Sequence, residues 1–264
     1  MNGTVQKQCS EKTLKGLRNM RLKKAIREIF RANIPKTIWF NFKMLPLKQA
    51  IKFPVFVYGK SSFRKISGRF VIDAKVSPAM IKIGKKDKYV LTDTPLSVWT
   101  IEGTITFHSD FRFYGGSYVF CAKNAKLSFM GGGFCGSNVK IICFDSITLH
   151  DTRVTWDCQI MDSSFHYLEN LDKPNDFKPL TDPVVLGDHV WICNNTTISK
   201  GTVVPSENII ASHSLVNKDF SDIGPYNLLA GVPAKVKASN VRRIYDSVKE
   251  AELDNIYNYC RTHL

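Results

Sequence analysis

The chain carries six imidazoles, at His108, His150, His166, His189, His213 and His263. An imidazole titrates near neutrality, so it can take a proton from an attacking group and give it to a leaving one. His166 has the most suggestive surroundings. It closes the stretch Val154-Thr-Trp-Asp-Cys-Gln-Ile-Met-Asp-Ser-Ser-Phe-His166. Asp157 and Asp162 are acids close enough in sequence to orient the ring, a task that a main-chain carbonyl could also perform. Trp156 offers an indole face on which a ring-shaped ligand could stack, or one that simply packs at a corner. The seven cysteines (Cys9, Cys121, Cys135, Cys143, Cys158, Cys193 and Cys260) are odd in number and scattered, with no C-x-x-C pair. That pattern argues against a disulfide scaffold or a structural zinc site and for a reducing, cytoplasmic setting. His166, His189 and His213 are spaced by 23 and 24 residues. That is near, but not equal to, the repeat derived next, so no metal is expected.

These residues sit in or beside a six-residue repeat. From Leu186 the chain divides into sixes beginning at Leu186, Ile192, Ile198, Val204, Ile210 and Val216, each an aliphatic. The fifth positions are Val190, Thr196, Thr202, Asn208, Ser214 and then Phe220, where the run ends. Helices favour a period of 3.6 and strands a period of 2, so neither explains six. A coil with three short faces per turn does: six residues make one face and one corner, and about 18 make a rung that buries its core only against the next rung. The aliphatic points inward and the small fifth residue fits the tight interior near the corner. Ile105 and Phe111, Ile141 and Ile147, and Val154 and Ile160 are weaker copies upstream. We expect a β-solenoid over about residues 65–220 with degenerate early rungs. His166 stands where the next core aliphatic should be. There the repeat stops for a polar stretch, His166 to Pro183, and a long excursion from a tight coil is often functional. His189 and His213 fall at fourth positions, outward corners where a solvated side chain is the simple reading.

Charge is segregated. The chain has 37 Lys and Arg against 23 Asp and Glu, but residues 1–60 hold 14 of the basic groups and only Glu11 and Glu28. Leu14, Leu17, Leu22, Ala25, Ile26, Ile29 and Phe30 recur at helical spacing between Arg18, Lys23, Lys24, Arg27 and Arg31, which predicts an amphipathic basic helix. It is read either as a packing arm or, through residues 11–31, as a contact with an anionic membrane surface. No nucleic-acid module is recognisable, and nucleic acid is not expected as a partner. Ile34-Pro35 and Pro46 should break the helical pattern, leaving irregular structure over 38–58. Residues 241–259 read as a C-terminal helix. No apolar run reaches the ~18 residues needed to span a bilayer, and the N-terminus lacks the apolar core of a secretory signal. The expected organisation is a basic N-terminal segment (1–64), the solenoid (65–239) and a C-terminal helix (240–264).

The hexad run, followed by Val216-Asn-Lys-Asp and Ala230-Gly-Val-Pro-Ala-Lys-Val, resembles the closing rungs of hexapeptide-repeat O-acetyltransferases. These include galactoside and maltose acetyltransferases and those of bacterial surface polysaccharides. The segment ending at His166 resembles the one that carries that family's catalytic histidine. The resemblance covers about residues 100–240. It implies a left-handed parallel β-helix, a homotrimer, and acetyl-CoA lying between adjacent subunits. It implies an O-acetyltransferase acting on a saccharide hydroxyl of a surface polysaccharide or glycolipid precursor, with His166 as general base. By residue match, Asn194, Ser212, Asn217, Lys218 and Lys235 fall at positions that contact the cofactor, with Lys237 beside them. Asn138, Trp156, Asp157 and Asp162 fall on the acceptor side. The chain departs from the pattern at Asn194, where sugar enzymes commonly have Ser or Gly, and at Ser212-His213, where Ala-Gly is usual. Two other readings stay open: N-acetylation of an amino sugar, and a non-catalytic or metal-binding β-helix assembly protein.

Overall fold

A computed structural model describes residues 30–87 and 95–257. The basic helix expected over 14–30 lies almost wholly outside the described residues. The body is a coil of short strands in three sheets of nine, seven and six strands, in which each strand pairs with those one turn before and one turn after it. All pairings along the coil are parallel, and only the last strand, Lys235–Ser239, runs antiparallel, against Asn227–Ala230. Ile192 pairs with Ile210 and Ile198 with Val216, so the late rungs repeat every 18 residues. That is the period of three hexads. The inward side chains form continuous columns. One runs through Val57, Ile83, Phe113, Cys135, Val154, Ile192, Ile210 and Leu229. A second runs through Phe63, Trp99, Val119, Ile141, Ile160, Ile198 and Val216.

The early rungs look degenerate for a physical reason. Late strands have two residues and point one side chain inward. Upstream strands have four and point two inward, as in Thr104–Phe107, Lys126–Phe129 and Ser146–Leu149. Those rungs are wider and are filled by aromatics: Phe107 stacks on Phe129 with centroids 4.6 Å apart, and Phe113 meets Trp99 edge-on at 4.7 Å. Their signal is therefore local alternation and not a period of six. The coil also begins earlier than expected. Its first strand is Val55–Val57, which pairs with Ile81–Lys85, so residues assigned to the N-terminal segment belong to the stack.

Corners set the repeat's fourth and fifth positions. His189, Asn195, Gly201, Glu207 and His213 all have φ between 57° and 70°. This left-handed conformation turns the chain sharply and suits Gly and Asn best. The fifth-position residues Val190, Thr196, Thr202, Asn208 and Ser214 are buried. Their polar atoms serve neighbouring rungs: Thr202 Oγ1 donates to the Val216 carbonyl at 3.0 Å, and Thr196 Oγ1 to that of Ala211 at 3.1 Å.

Two helical expectations are corrected. The helical turn at Phe30–Arg31 does end before Ile34-Pro35, but the irregular structure expected over 38–58 is not found at its start: α1 spans Ile34–Met44, with Pro35 in its first turn and Asn33 capping it by accepting from the Lys36 amide. Proline is tolerated there because no intrahelical bond is lost. Pro46 then precedes a short second helix, α2 (Leu47–Ala50). At the other end, α3 spans only Ser247–Ile256, with Asp246 accepting from Val248 and Lys249 amides as its cap. Residues 241–246 lie across the coil outside any helix, because Tyr245 is used as an anchor.

Candidate active site

The strands of the first and second sheets meet at a corner that the chain passes once per rung. Most of the residues singled out in the sequence lie there. Asn138, with φ 60°, and Asp157, with φ 58°, occupy the turn position of successive rungs, and Asn138 Nδ2 donates to Asp157 Oδ1 at 3.0 Å. Trp156 stands beside Asp157 with its indole 41% exposed. Further along the same edge, Ser212 Oγ donates to Asn194 Oδ1 at 2.7 Å. Beyond it the segment Gly231–Ala234 closes the corner, with the Gly231 carbonyl accepting from Leu215 and the Ala234 amide donating to Leu215. Lys235 follows at the start of the last strand, exposed. The edge is thus a ladder of exposed amide, carboxylate and hydroxyl groups with one indole.

His166 is on the next corner, across the second sheet, where the chain leaves the coil. Residues 163–182 form an antiparallel arm. Ser163 bridges Thr181 and Glu169 bridges Phe177, and the Ser164 amide donates to Leu180 at 2.9 Å. Lys200 staples the base of the arm by donating to Ser164 Oγ and to the carbonyls of Pro179 and Leu180. His166 is exposed near this base. Phe165, just before it, has φ 63°, an uncommon conformation for a bulky side chain. The Phe165 ring meets Phe144 at 5.3 Å, and Phe144 meets Phe120 at 5.2 Å. These aromatic contacts hold the turn that presents the imidazole. Asn217 and Lys218 lie on this same corner, two rungs on, with Lys218 Nζ 4.7 Å from the Phe220 ring centroid.

Asp162 is a correction. It is fully buried, and its carboxylate accepts from the amides of Phe144 and Asp145, both at 2.8 Å, and from the Cys143 thiol. A side chain so enclosed offers no face to an acceptor. Its task is to end the coil's regular register and root the arm. The Cys143 thiol also neighbours that of Cys121. Interaction with Cys121, and then burial, push the Cys143 thiol up, and the same interaction lowers Cys121.

The third corner holds a cluster that sequence reasoning missed. His189 Nδ1 faces Glu207 Oε1 at 2.7 Å, and its Nε2 faces Asp151 Oδ2 at 3.3 Å. Asp151 also pairs with Arg153. Tyr245 Oη donates to the His189 carbonyl at 3.0 Å, and its ring packs on the imidazole at 5.2 Å. The Arg243 guanidinium lies over both Trp191 and Tyr245. His189 is therefore a structural clasp and not a free surface group. Its only sequence signal is the shared fourth position of Asp188-His189 and Ser206-Glu207 in hexads three apart. Burial pushes the Tyr245 phenol up. His213, by contrast, is exposed, as the sequence suggested.

Among the described residues no group of three or more His, Cys, Asp or Glu side chains is arranged to hold a metal ion. Burial also pushes up the thiols nearest the ladder, Cys158 to about 11 and Cys193 in the same direction. That leaves them poor nucleophiles.

No protein-family model matches the chain. WbbJ of Escherichia coli (strain K12), provisionally described as a lipopolysaccharide biosynthesis O-acetyl transferase, is 27% identical over 151 residues, which cover 51% of this chain and 71% of that protein. Among solved structures, the polysialic-acid-specific acetyltransferase NeuO superposes with a TM-score of 0.52 at 16% identity, over 77% of this chain and 90% of NeuO. The polysialic acid O-acetyltransferase OatWY covers 75% of this chain and all of its own length at 19% identity, with a TM-score of 0.36. The parallel pairing along the coil and the superposition on NeuO make the fold a left-handed parallel β-helix. By sequence and fold the chain is similar to the hexapeptide-repeat O-acetyltransferases, and its enzyme class is acyltransferase.

Proposed function

We propose that the chain is a CoA-dependent O-acetyltransferase that moves an acetyl group from acetyl-CoA to a saccharide hydroxyl, with His166 as general base. The observation that carries this reading is the placement of His166. It is the one exposed imidazole at the root of an arm that interrupts an otherwise regular stack, on a turn forced through Phe165. The acceptor hydroxyl attacks the thioester carbonyl carbon while the imidazole takes its proton. As the C–S bond breaks, the imidazolium returns that proton to the leaving thiolate. Direct transfer fits because the thiols near the ladder are held protonated by burial. The ladder's polar pairs, Asn138 with Asp157 and Asn194 with Ser212, supply hydrogen-bonding groups for the two substrates, and Trp156 a face for a sugar ring. Asn217, Lys218 and Lys235 supply donors for the phosphates of the CoA moiety.

His166 and the ladder stand on different corners of one chain. That separation supports a homotrimer with sites between subunits, in which a neighbouring copy with a parallel axis would bring its arm to the other's ladder. The arm's tip supports it too, since Tyr167, Leu168 and Leu171 are exposed apolar groups. A saccharide acceptor in surface polysaccharide or glycolipid synthesis is supported by the described roles of WbbJ and NeuO. A thioester donor and the free thiols support a cytoplasmic setting.

The test is thiol release from acetyl-CoA across a saccharide panel, with His166→Ala alongside. General-base removal should lower kcat by about 10²–10⁴-fold with a small change in KM. Treating the product with mild base distinguishes the two acyl links, because an ester is lost and an amide persists. Wild-type rates in His166→Ala would remove the base assignment, and a base-stable product would establish N-acetylation instead.

A further inference from the structure

At the start of the stack α1 is oriented against the usual amphipathic rule. Its buried side carries Thr37 and Asn41 beside Phe40. These polar groups complete the otherwise free edge of the first strand. Asn41 Nδ2 donates to the Val55 carbonyl at 2.7 Å, Asn41 Oδ1 accepts from the Val55 amide at 3.1 Å, and Thr37 Oγ1 accepts from the Val57 amide at 3.1 Å. The helix therefore caps the coil's end and blocks edge pairing. Its outward side is apolar. Ile34, Ile38 and Phe42 recur four residues apart with Trp39 beside them, and Leu47 and Ile51 follow. All six are 40–67% exposed. A contiguous apolar surface of this kind marks an interaction site.

The charge around it says with what. From Ile29 to Ile72 the chain has nine basic residues and no acidic one. Lys43, Lys48 and Lys52 alternate along the segment with the exposed apolar groups, and all three are exposed. Exposed apolar groups and an indole interleaved with lysines are the chemistry of an anionic bilayer surface, where the side chains enter the headgroup boundary and the ammonium groups meet lipid phosphates. We propose that this capped end, residues 34–52, is a docking face for an anionic lipid membrane, distinct from residues 11–31 and independent of the acyltransferase reading. The stack then stands end-on, with the rung bearing His166 four strand spacings, about 20 Å, beyond the first rung, and a helix diameter of about 10 Å further from the lipid.

The test uses the full chain and sedimentation with vesicles of phosphatidylcholine, alone or with one quarter phosphatidylglycerol. Binding should appear with the anionic vesicles, weaken as salt rises, and fall roughly tenfold or more in Ile38→Ser/Phe42→Ser, which changes only exposed side chains. Brominated lipid should quench Trp39 fluorescence, and that quenching should vanish in Trp39→Phe. Thermal unfolding of the double variant should match that of the unaltered chain, which separates lost docking from lost folding. Equal binding by the double variant would overturn the proposal by placing the contact elsewhere. So would no binding to anionic vesicles, or a smaller assembly for the double variant in solution, which would show that a second copy covers the face.

Discussion

Asp162 and His166 lie four residues apart in sequence yet have opposite surroundings. The Asp162 carboxylate is enclosed and accepts two amide hydrogen bonds that hold the exit from the coil. Removing it leaves buried donors unpaired, so Asp162→Ala should destabilise the protein by about 3 kcal/mol in urea unfolding. His166→Ala, on an exposed turn, should change unfolding by less than about 0.5 kcal/mol while lowering turnover. If the two variants behaved alike in unfolding, the division between root and reactive group would be wrong. The same contrast separates His189 from His213. Both occupy the left-handed fourth position, but His189 is committed to two carboxylates and the C-terminal segment. His213 bears only on the ladder edge.

At the scale of elements, the coil depends on its corners as much as on its columns. Gly201 has φ +70°, and a Cβ there would come within 2.5 Å of Asp182 Oδ2 at the foot of the arm. Gly201→Ala should therefore cost about 1–2 kcal/mol, from the backbone term together with displacement of the arm's base. Thermal unfolding and protease sensitivity of residues 163–182 would measure both effects. The C-terminal strap gives a pH prediction. Burial raises the Tyr245 pKa, so the folded state prefers the neutral phenol. That stabilisation is fully present below the unfolded value of about 10 and is lost as pH climbs through the higher folded value. Hydrogen exchange of residues 241–257 should accelerate on that alkaline side, and Tyr245→Phe should flatten the step. An unchanged alkaline step in Tyr245→Phe would assign it to another group.

For the whole molecule, a single chain presents its imidazole and its polar ladder on separate edges, and the proposed site needs a second copy. Sedimentation should give an assembly of three 29.9 kDa chains. Mixing inactive His166→Ala chains with chains damaged on the ladder, such as Asn138→Ala/Asp157→Ala, should restore part of the activity by pairing an intact arm with an intact ladder. A monomer with full turnover would sink the shared-site arrangement. Among the described residues no helix is long and apolar enough to cross a membrane.

By itself the sequence determined the coil's architecture in its late rungs. There one inward aliphatic per face makes the spacing of six visible in one dimension, and the break after Ile160 marks the arm and His166. It did not disclose the wide early rungs, because two inward residues per strand read as ordinary alternation and aromatics fill the extra width. Nor did it disclose that Asp162 is enclosed, since burial of a carboxylate depends on amides donated from the rung before, 17 and 18 residues away. The clasp at His189, beyond the fourth positions it shares with Glu207, and the outward apolar side of α1 were decided by tertiary structure. In the first, carboxylates from different rungs converge on one ring. In the second, two polar side chains that should face water turn inward to satisfy a strand edge, which leaves the apolar side facing out.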